Sequence, residues 1–203
     1  QPQFTYYGFR YVEVEGAVPA GESNPGALPE VIDITGLHTR NSAAQVGTFA
    51  CSDPLFNKIH TLIDWAVRSN MASVLTDCPH REKLGWLEVT HLMGGSIQYR
   101  YDISRLYAKQ VNDMRTAQHA NGMVPTIAPQ YVTFSPDFID TPEWGSAFVI
   151  IPWNLYEWYG DLAPLRDNYE RMKRYVDYLG SRADNHIVAY GLGDWYDIGP
   201  DRP

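Results

Sequence analysis

Residues 51–71 read CSDPLFNKIHTLIDWAVRSNM, and here the apolar residues change their spacing. Before Cys51 they alternate in part; after it Leu55, Ile59, Leu62, Ile63, Ala66 and Val67 recur at helical intervals and form one stripe. Ser52 or Asp53 can cap such a helix and Pro54 suits its first turn, so the pattern predicts a helix over about 53–70.

Downstream the helical reading continues. Helices are expected over Leu87–Tyr101, over Ile103 to about His119 on Leu106, Tyr107, Gln110, Val111 and Met114, and over Ala163–Arg182 on Leu165, Tyr169, Met172, Val176 and Leu179. Asn121-Gly122 provides a stop signal for the second of these. Trp144–Tyr159 is apolar on nearly every side, as a helix with neighbours all round would be. Between them Gly122–Thr141 carries three prolines and no stripe, which predicts a long ordered loop of the kind associated with function. Upstream, FTYYGFRYVEVEG and EVIDITGLHTR read as strands separated by turns at Pro19-Ala20-Gly21 and Asn24-Pro25-Gly26. Two or three strands close no core, so residues 1–50 are expected to be the last strands of a β-sandwich with a linker. Residues 51–203 are expected to be the first part of a helical toroid.

Composition narrows the partners. The 203 residues are 44% hydrophobic and 20% charged, with a net charge of −8, and no Lys or Arg cluster tracks phosphates. Nucleic acid and acidic lipid surfaces are therefore not expected partners. No apolar run approaches the roughly 20 residues that cross a bilayer. The start QPQFTYYG lacks a signal-peptide pattern, so any export signal is expected to lie upstream or to have been removed. With only Cys51 and Cys78, no disulfide framework is expected. Six Trp, fourteen Tyr and seven Phe lie often beside acids and glycines; aromatic faces suit sugar C–H surfaces, although each ring could equally fill the core.

The densest chemistry lies in Thr76–Glu88, TDCPHREKLGWLE. Asp77, Cys78, His80 and Glu82 could ligate a metal, but zinc-site spacing and a second Cys/His cluster are missing. Cys78 could be a nucleophile with His80 and Arg81 nearby, or a small packed thiol. Asp77, Glu82 and Glu88 could supply the two carboxylates of glycoside hydrolysis, one protonated toward the leaving oxygen and one acting at the anomeric centre. Arg81 could grip a sugar hydroxyl and Trp86 offer a flat face. Equally, Arg81 and Asp77 could be a structural pair, Glu82 a helix-solvating acid and Trp86 a core ring.

TDCPHREKLGW resembles the signature of family 78 of the glycoside hydrolases, the bacterial α-L-rhamnosidases. Three further motifs follow that family's order: CSDPLFNKIHTLIDWAVRSNM is similar to its first barrel helix, PEWGSAFVIIPWNLYEWYGD to its Trp-bearing inner helix and GLGDWYDIGP to its Gly-Asp-Trp loop. FTYYGFRYVEVEG resembles the strand leading out of its preceding sandwich. The resemblance implies a mainly α fold, part of an (α/α)6 barrel preceded by β-sandwich strands, with no cofactor or metal. It implies that Asp77, Arg81 and Glu82 line the sugar site, Glu82 as general acid, and that Trp86, Trp144 and Trp195 surround the rhamnose with Asp194 beside them. Many members carry an acid within Gly-Asp shortly after the signature tryptophan; this chain departs from that pattern with Leu87-Glu88-Val89, which leaves open whether Glu88, expected at the substrate site, takes that acid's place.

The family reaction inverts the anomeric centre and uses a second glutamate as base, far downstream on the other half of the barrel. The chain reaches Pro203 before that position, so it is expected to be an N-terminal part lacking the base. Its open apolar side is then expected to meet the rest of the barrel or a second copy. A carbohydrate-binding module without cleavage is the competing expectation.

Overall fold

The computed structural model describes residues 5–193. It is built from helices: α1 Pro54–Asn70, α2 Leu87–Gln98, α3 Ser104–Ala117, the single turns α4 Pro136–Ile139 and α5 Pro142–Gly145, then α6 Ala147–Tyr159 and α7 Ala163–Arg182. The strands among the described residues are two short ones, β1 Val18–Pro19 and β2 Glu30–Val31, paired in parallel with Val18 opposite Glu30. Residues 5–16 and 33–40 run without a ladder despite their alternation. A β-rich stretch becomes a strand only where a neighbouring strand takes its backbone groups, and among the described residues no strand pairs with these two segments.

The start of α1 follows the expected cap, and residues next to the helix ends serve elsewhere. Asp53 Oδ1 accepts the Leu55 amide at 2.8 Å, with Pro54 opening α1. Asp102 Oδ1 accepts both the amide (3.0 Å) and the hydroxyl (2.6 Å) of Ser104 at the start of α3. Gly160, at φ +68, ends α6 in the left-handed conformation that a residue without Cβ adopts at least cost. The third expected helix stops at Ala117, short of Asn121-Gly122. Gly122 instead lies where an added Cβ would stand 2.5 Å from the Arg174 carbonyl, so it serves the packing of that loop on α7.

The core forms where α2, α3 and α6 meet and α7 closes over them. Leu87, Ile97, Leu106, Tyr107, Met114, Phe148, Ile151, Leu155 and Tyr175 are all buried there. All five residues of the stripe expected on α3 are buried. The Tyr107 hydroxyl donates to the Thr90 carbonyl, and Thr90 Oγ1 accepts Gln110 Nε2 at 3.0 Å. Burial pushes the Tyr107 phenol up from its ordinary value. Gly94 permits this contact, because a Cβ there would stand 2.1 Å from the Tyr107 oxygen.

Two helices differ from their sequence patterns. The expected Trp144–Tyr159 helix is interrupted at Ser146, where the Pro142 carbonyl accepts the Ser146 amide (3.0 Å), the Ser146 hydroxyl (2.6 Å) and the Tyr175 hydroxyl (3.2 Å). It is also not buried all round, since Trp153 and Tyr156 are exposed. On α7 the buried face carries Asn168, Met172, Tyr175 and Tyr178, while Tyr169 and Val176 of the expected stripe are exposed. Hydrogen bonding sets this rotation: Tyr175 reaches Pro142, and the Tyr178 hydroxyl donates to Asp140 Oδ2, which also accepts Arg182 Nη1 at 3.1 Å.

Candidate active site

The signature forms a closed loop between α1 and α2. The Asp77 amide donates to the Leu84 carbonyl at 3.2 Å, and Asp77 Oδ1 accepts the Leu84 amide at 3.0 Å. Inside this clasp the Glu82 amide donates to Cys78 Sγ at 3.2 Å. At the tip Arg81 and Glu82 point outward, their side chains 77% and 40% exposed, with Nη2 3.4 Å from Oε1. One carboxylate thus closes the loop while the other is presented to solvent. The two thiols are unpaired, Cys51 at the surface and Cys78 beneath the loop.

Beyond the loop the chain enters an aromatic cluster. Trp86 pairs with Ile127 in an isolated antiparallel bridge, and its ring stacks on Phe134 at 5.3 Å and 16°. Its edge meets Trp144 at 6.3 Å. Trp86 remains half-buried, whereas Trp144 is 7% exposed and belongs to the core. The Trp144 indole N–H is buried and has no acceptor among the described residues. Glu88 stands in the first turn of α2, half-buried. One turn on, His91 Nε2 stands 2.8 Å from the Glu143 carbonyl and so ties α2 to the turn that carries Trp144.

The structure therefore brings Asp77, Arg81 and Glu82 onto one loop and Trp86 and Trp144 into one cluster. Asp194 and Trp195 lie outside the described residues. Phe134, Lys83, Tyr131 and His91 were not singled out in the sequence. The proline-rich loop Gly122–Thr141 was the available signal for Phe134 and Tyr131, since a long ordered loop has to pack on something.

A cavity of about 260 Å³ opens between α1 and α2; Ile63, Val67, Val89 and Ile97 line it, with Thr76 and Asp77 among its walls. A larger one of about 540 Å³, between residues 41–44 and the start of α3, contains no signature residue. Among the described residues no three His, Cys, Asp or Glu side chains are grouped to hold a metal.

The family model described as the bacterial alpha-L-rhamnosidase 6 hairpin glycosidase domain matches residues 44–203. An alpha-L-rhamnosidase of Formosa agariphila is 36% identical over 206 residues, covering 96% of this chain and 20% of that protein. One of Streptomyces avermitilis is 34% identical, covering 100% and 19%. Among solved structures, the alpha-L-rhamnosidase of Dictyoglumus thermophilum superposes with a TM-score of 0.72 at 37% identity, over 77% of this chain and 18% of that one. The Streptomyces avermitilis enzyme complexed with L-rhamnose gives 0.70 at 32%, over 77% and 15%. The chain spans about a fifth of the length of the curated relatives it matches. Its helices are part of a helical toroid, and the chain belongs to the bacterial α-L-rhamnosidase six-hairpin glycosidase family.

Proposed function

We propose that the protein carrying this chain is an inverting glycosidase that releases terminal α-L-rhamnose from glycans or glycosides, with Glu82 as its general acid. The observation that carries this reading is the loop itself: Glu82 is held at the tip of a hydrogen-bonded clasp, solvent-accessible and beside an exposed guanidinium. The Arg81–Glu82 contact is exposed and 3.4 Å long, so it holds the pair only weakly. A sugar hydroxyl can draw Arg81 away and leave the Glu82 carboxyl to face the leaving oxygen.

In this reading Asp77 positions the loop and accepts from the substrate with its remaining lone pairs. Trp86 offers its half-exposed ring to the sugar, Trp144 backs it from the core, and Glu88 is a further polar contact; Asp194 and Trp195 keep the site roles that the family resemblance implies. Residues 1–50 belong to a preceding β domain and residues 51–203 to the toroid. The base that activates water comes from the remainder of the toroid, which covers the apolar side left open by α1.

The test uses the protein at the length of its relatives. Glu82→Gln keeps shape but delivers no proton, so hydrolysis of an alkyl rhamnoside should fall by the roughly 10²–10⁴-fold that general acid catalysis contributes. An aryl rhamnoside with an acidic phenol should lose far less. Proton NMR should find the β anomer first from an α-linked substrate, as water attacking between separated carboxylates requires. Equal losses on both substrates would remove Glu82 from the acid role, and the α anomer appearing first would remove inversion.

A further inference from the structure

Lys83, the residue after the candidate acid, has φ +57. A side chain makes that conformation unfavourable, and it persists where surrounding contacts over-determine it. Those contacts come largely from outside the helices. Lys83 Nζ donates to the Tyr6 carbonyl at 2.6 Å and stands 4.8 Å from the Tyr6 ring centroid and 4.1 Å from that of Tyr7. The Lys83 carbonyl accepts the Tyr131 hydroxyl at 2.8 Å. The ammonium is thus held by a carbonyl and two ring faces, an arrangement that favours a cation electrostatically.

The same N-terminal segment touches the loop at two more places. Tyr6 lies close to Thr76 at the loop's base, and burial first, with the charges of Cys78 and Asp77 adding and Thr76 opposing, raises its phenol from the ordinary value. Gly8 passes so close to the tip that an added Cβ would stand 3.2 Å from the His80 Cβ. Residues 6–8 therefore span the loop from base to tip, on the stretch where Arg81 and Glu82 are themselves exposed and make few contacts.

We propose that Lys83 is a positioning residue for Glu82, and that Tyr6, Tyr7 and Gly8 fasten the Asp77–Gly85 loop and form part of the site's wall. The fastening stands on geometry alone; its catalytic consequence rests on the function proposed above.

Two measurements test it, one without substrate. In the 203-residue chain, NMR should show the Lys83 ε-methylene protons displaced upfield by the rings. Tyr7→Phe, which keeps the ring, should preserve the displacement and Tyr7→Ser should reduce it. Lys83→Met should speed amide exchange at Glu82 and Leu84 by roughly tenfold or more, as a released local unit does, while exchange within α3 stays unchanged. Lys83→Arg, which restores a cation over the rings, should return it to within about threefold of wild type. In the protein at the length of its relatives, Lys83→Met should lower kcat on an alkyl rhamnoside by roughly 10²-fold with little change in KM, since a small misplacement of a reacting group costs about that much. Lys83→Arg should recover most of it.

Unchanged exchange at Glu82 and Leu84 in Lys83→Met overturns the fastening. So does a loss in Lys83→Arg equal to that in Lys83→Met, because a generic structural role would not distinguish a retained cation. Faster exchange with unaltered kcat overturns the positioning role. A wild-type protein that cleaves no rhamnoside defeats the proposed function instead, and the exchange measurement still decides the fastening.

Discussion

Helices α1 and α3 have apolar stripes of the same kind, and the structure treats them in opposite ways. α3 buries Leu106, Tyr107, Gln110, Val111 and Met114 against α2, α6 and α7, whereas α1 buries no residue at all. Leu62 of α1 is 70% exposed, and Leu55, Phe56, Ile63 and Trp65 are exposed with it. A period of 3.6 states that a helix needs an apolar partner; it does not say where in the chain, or in which chain, the partner is. The largest expected effect tests the packed side. Phe148→Ala removes a ring that is 0% exposed and should cost about 3–5 kcal/mol, measured as a shift in urea denaturation midpoint at unchanged slope. A loss below about 1 kcal/mol, the level of an ordinary surface change, would break the contrast.

The same contrast explains what was readable in the sequence. The start of α1 was legible because its signal is local, Asp53-Pro54; the local signals at Asp102 before Ser104 and at Gly160 were there to read but were not singled out. The buried face of α7 was not legible, because Tyr175 and Tyr178 take their direction from Pro142 and Asp140, more than 30 positions away. The signature's residue types pointed to carboxylate chemistry, and the four-motif resemblance to one family. The geometry that divides Asp77 from Glu82 was invisible: it depends on which carboxylate meets the Leu84 amide. Strand segments 5–16 and 33–40 failed as strands for the reason that leaves α1 bare, since both require partners that the described chain does not supply.

Toward its end α1 does reach the packed side, through Val67 against the core and, most firmly, through a polar residue. Asp64 Oδ1 accepts Arg100 Nε at 3.1 Å and the Tyr101 hydroxyl at 2.6 Å, and its side chain is 11% exposed. Burial alone would push this carboxyl up; the hydrogen bonds from Tyr101 and Arg100, with the charges of Arg100 and Arg68, outweigh it and hold the group below the usual range. A depressed folded value means that ionised Asp64 stabilises the fold above the unfolded carboxylate value of about 3.9, and that this contribution is lost as pH falls through the folded value. Asp64→Asn should therefore cost about 1–3 kcal/mol near pH 7, because it leaves Arg100 without its charge partner. The gap between wild type and variant should close below about pH 4 in denaturation curves taken from pH 7 downward. A gap independent of pH would mean that Asp64 acts through packing and not through charge.

The smallest effect is the sharpest test, because it asks whether the bare face is bare. Leu62→Ala in the 203-residue chain removes apolar atoms that already face water, so its cost should stay within about 0.5 kcal/mol, the range of ordinary surface changes. Leu62→Lys should do no more, and denaturation midpoints should not depend on protein concentration. If a second copy covered α1, Leu62→Lys would weaken association and the wild-type midpoint would rise with concentration. In the protein at the length of its relatives the proposed remainder of the toroid covers this face, and Leu62→Ala should then cost about 2–5 kcal/mol, as a buried leucine does. One substitution measured at two chain lengths thus separates a helix without a partner from one whose partner lies elsewhere in the polypeptide. Equal small costs at both lengths would show that the α1 stripe is no part of the toroid's core.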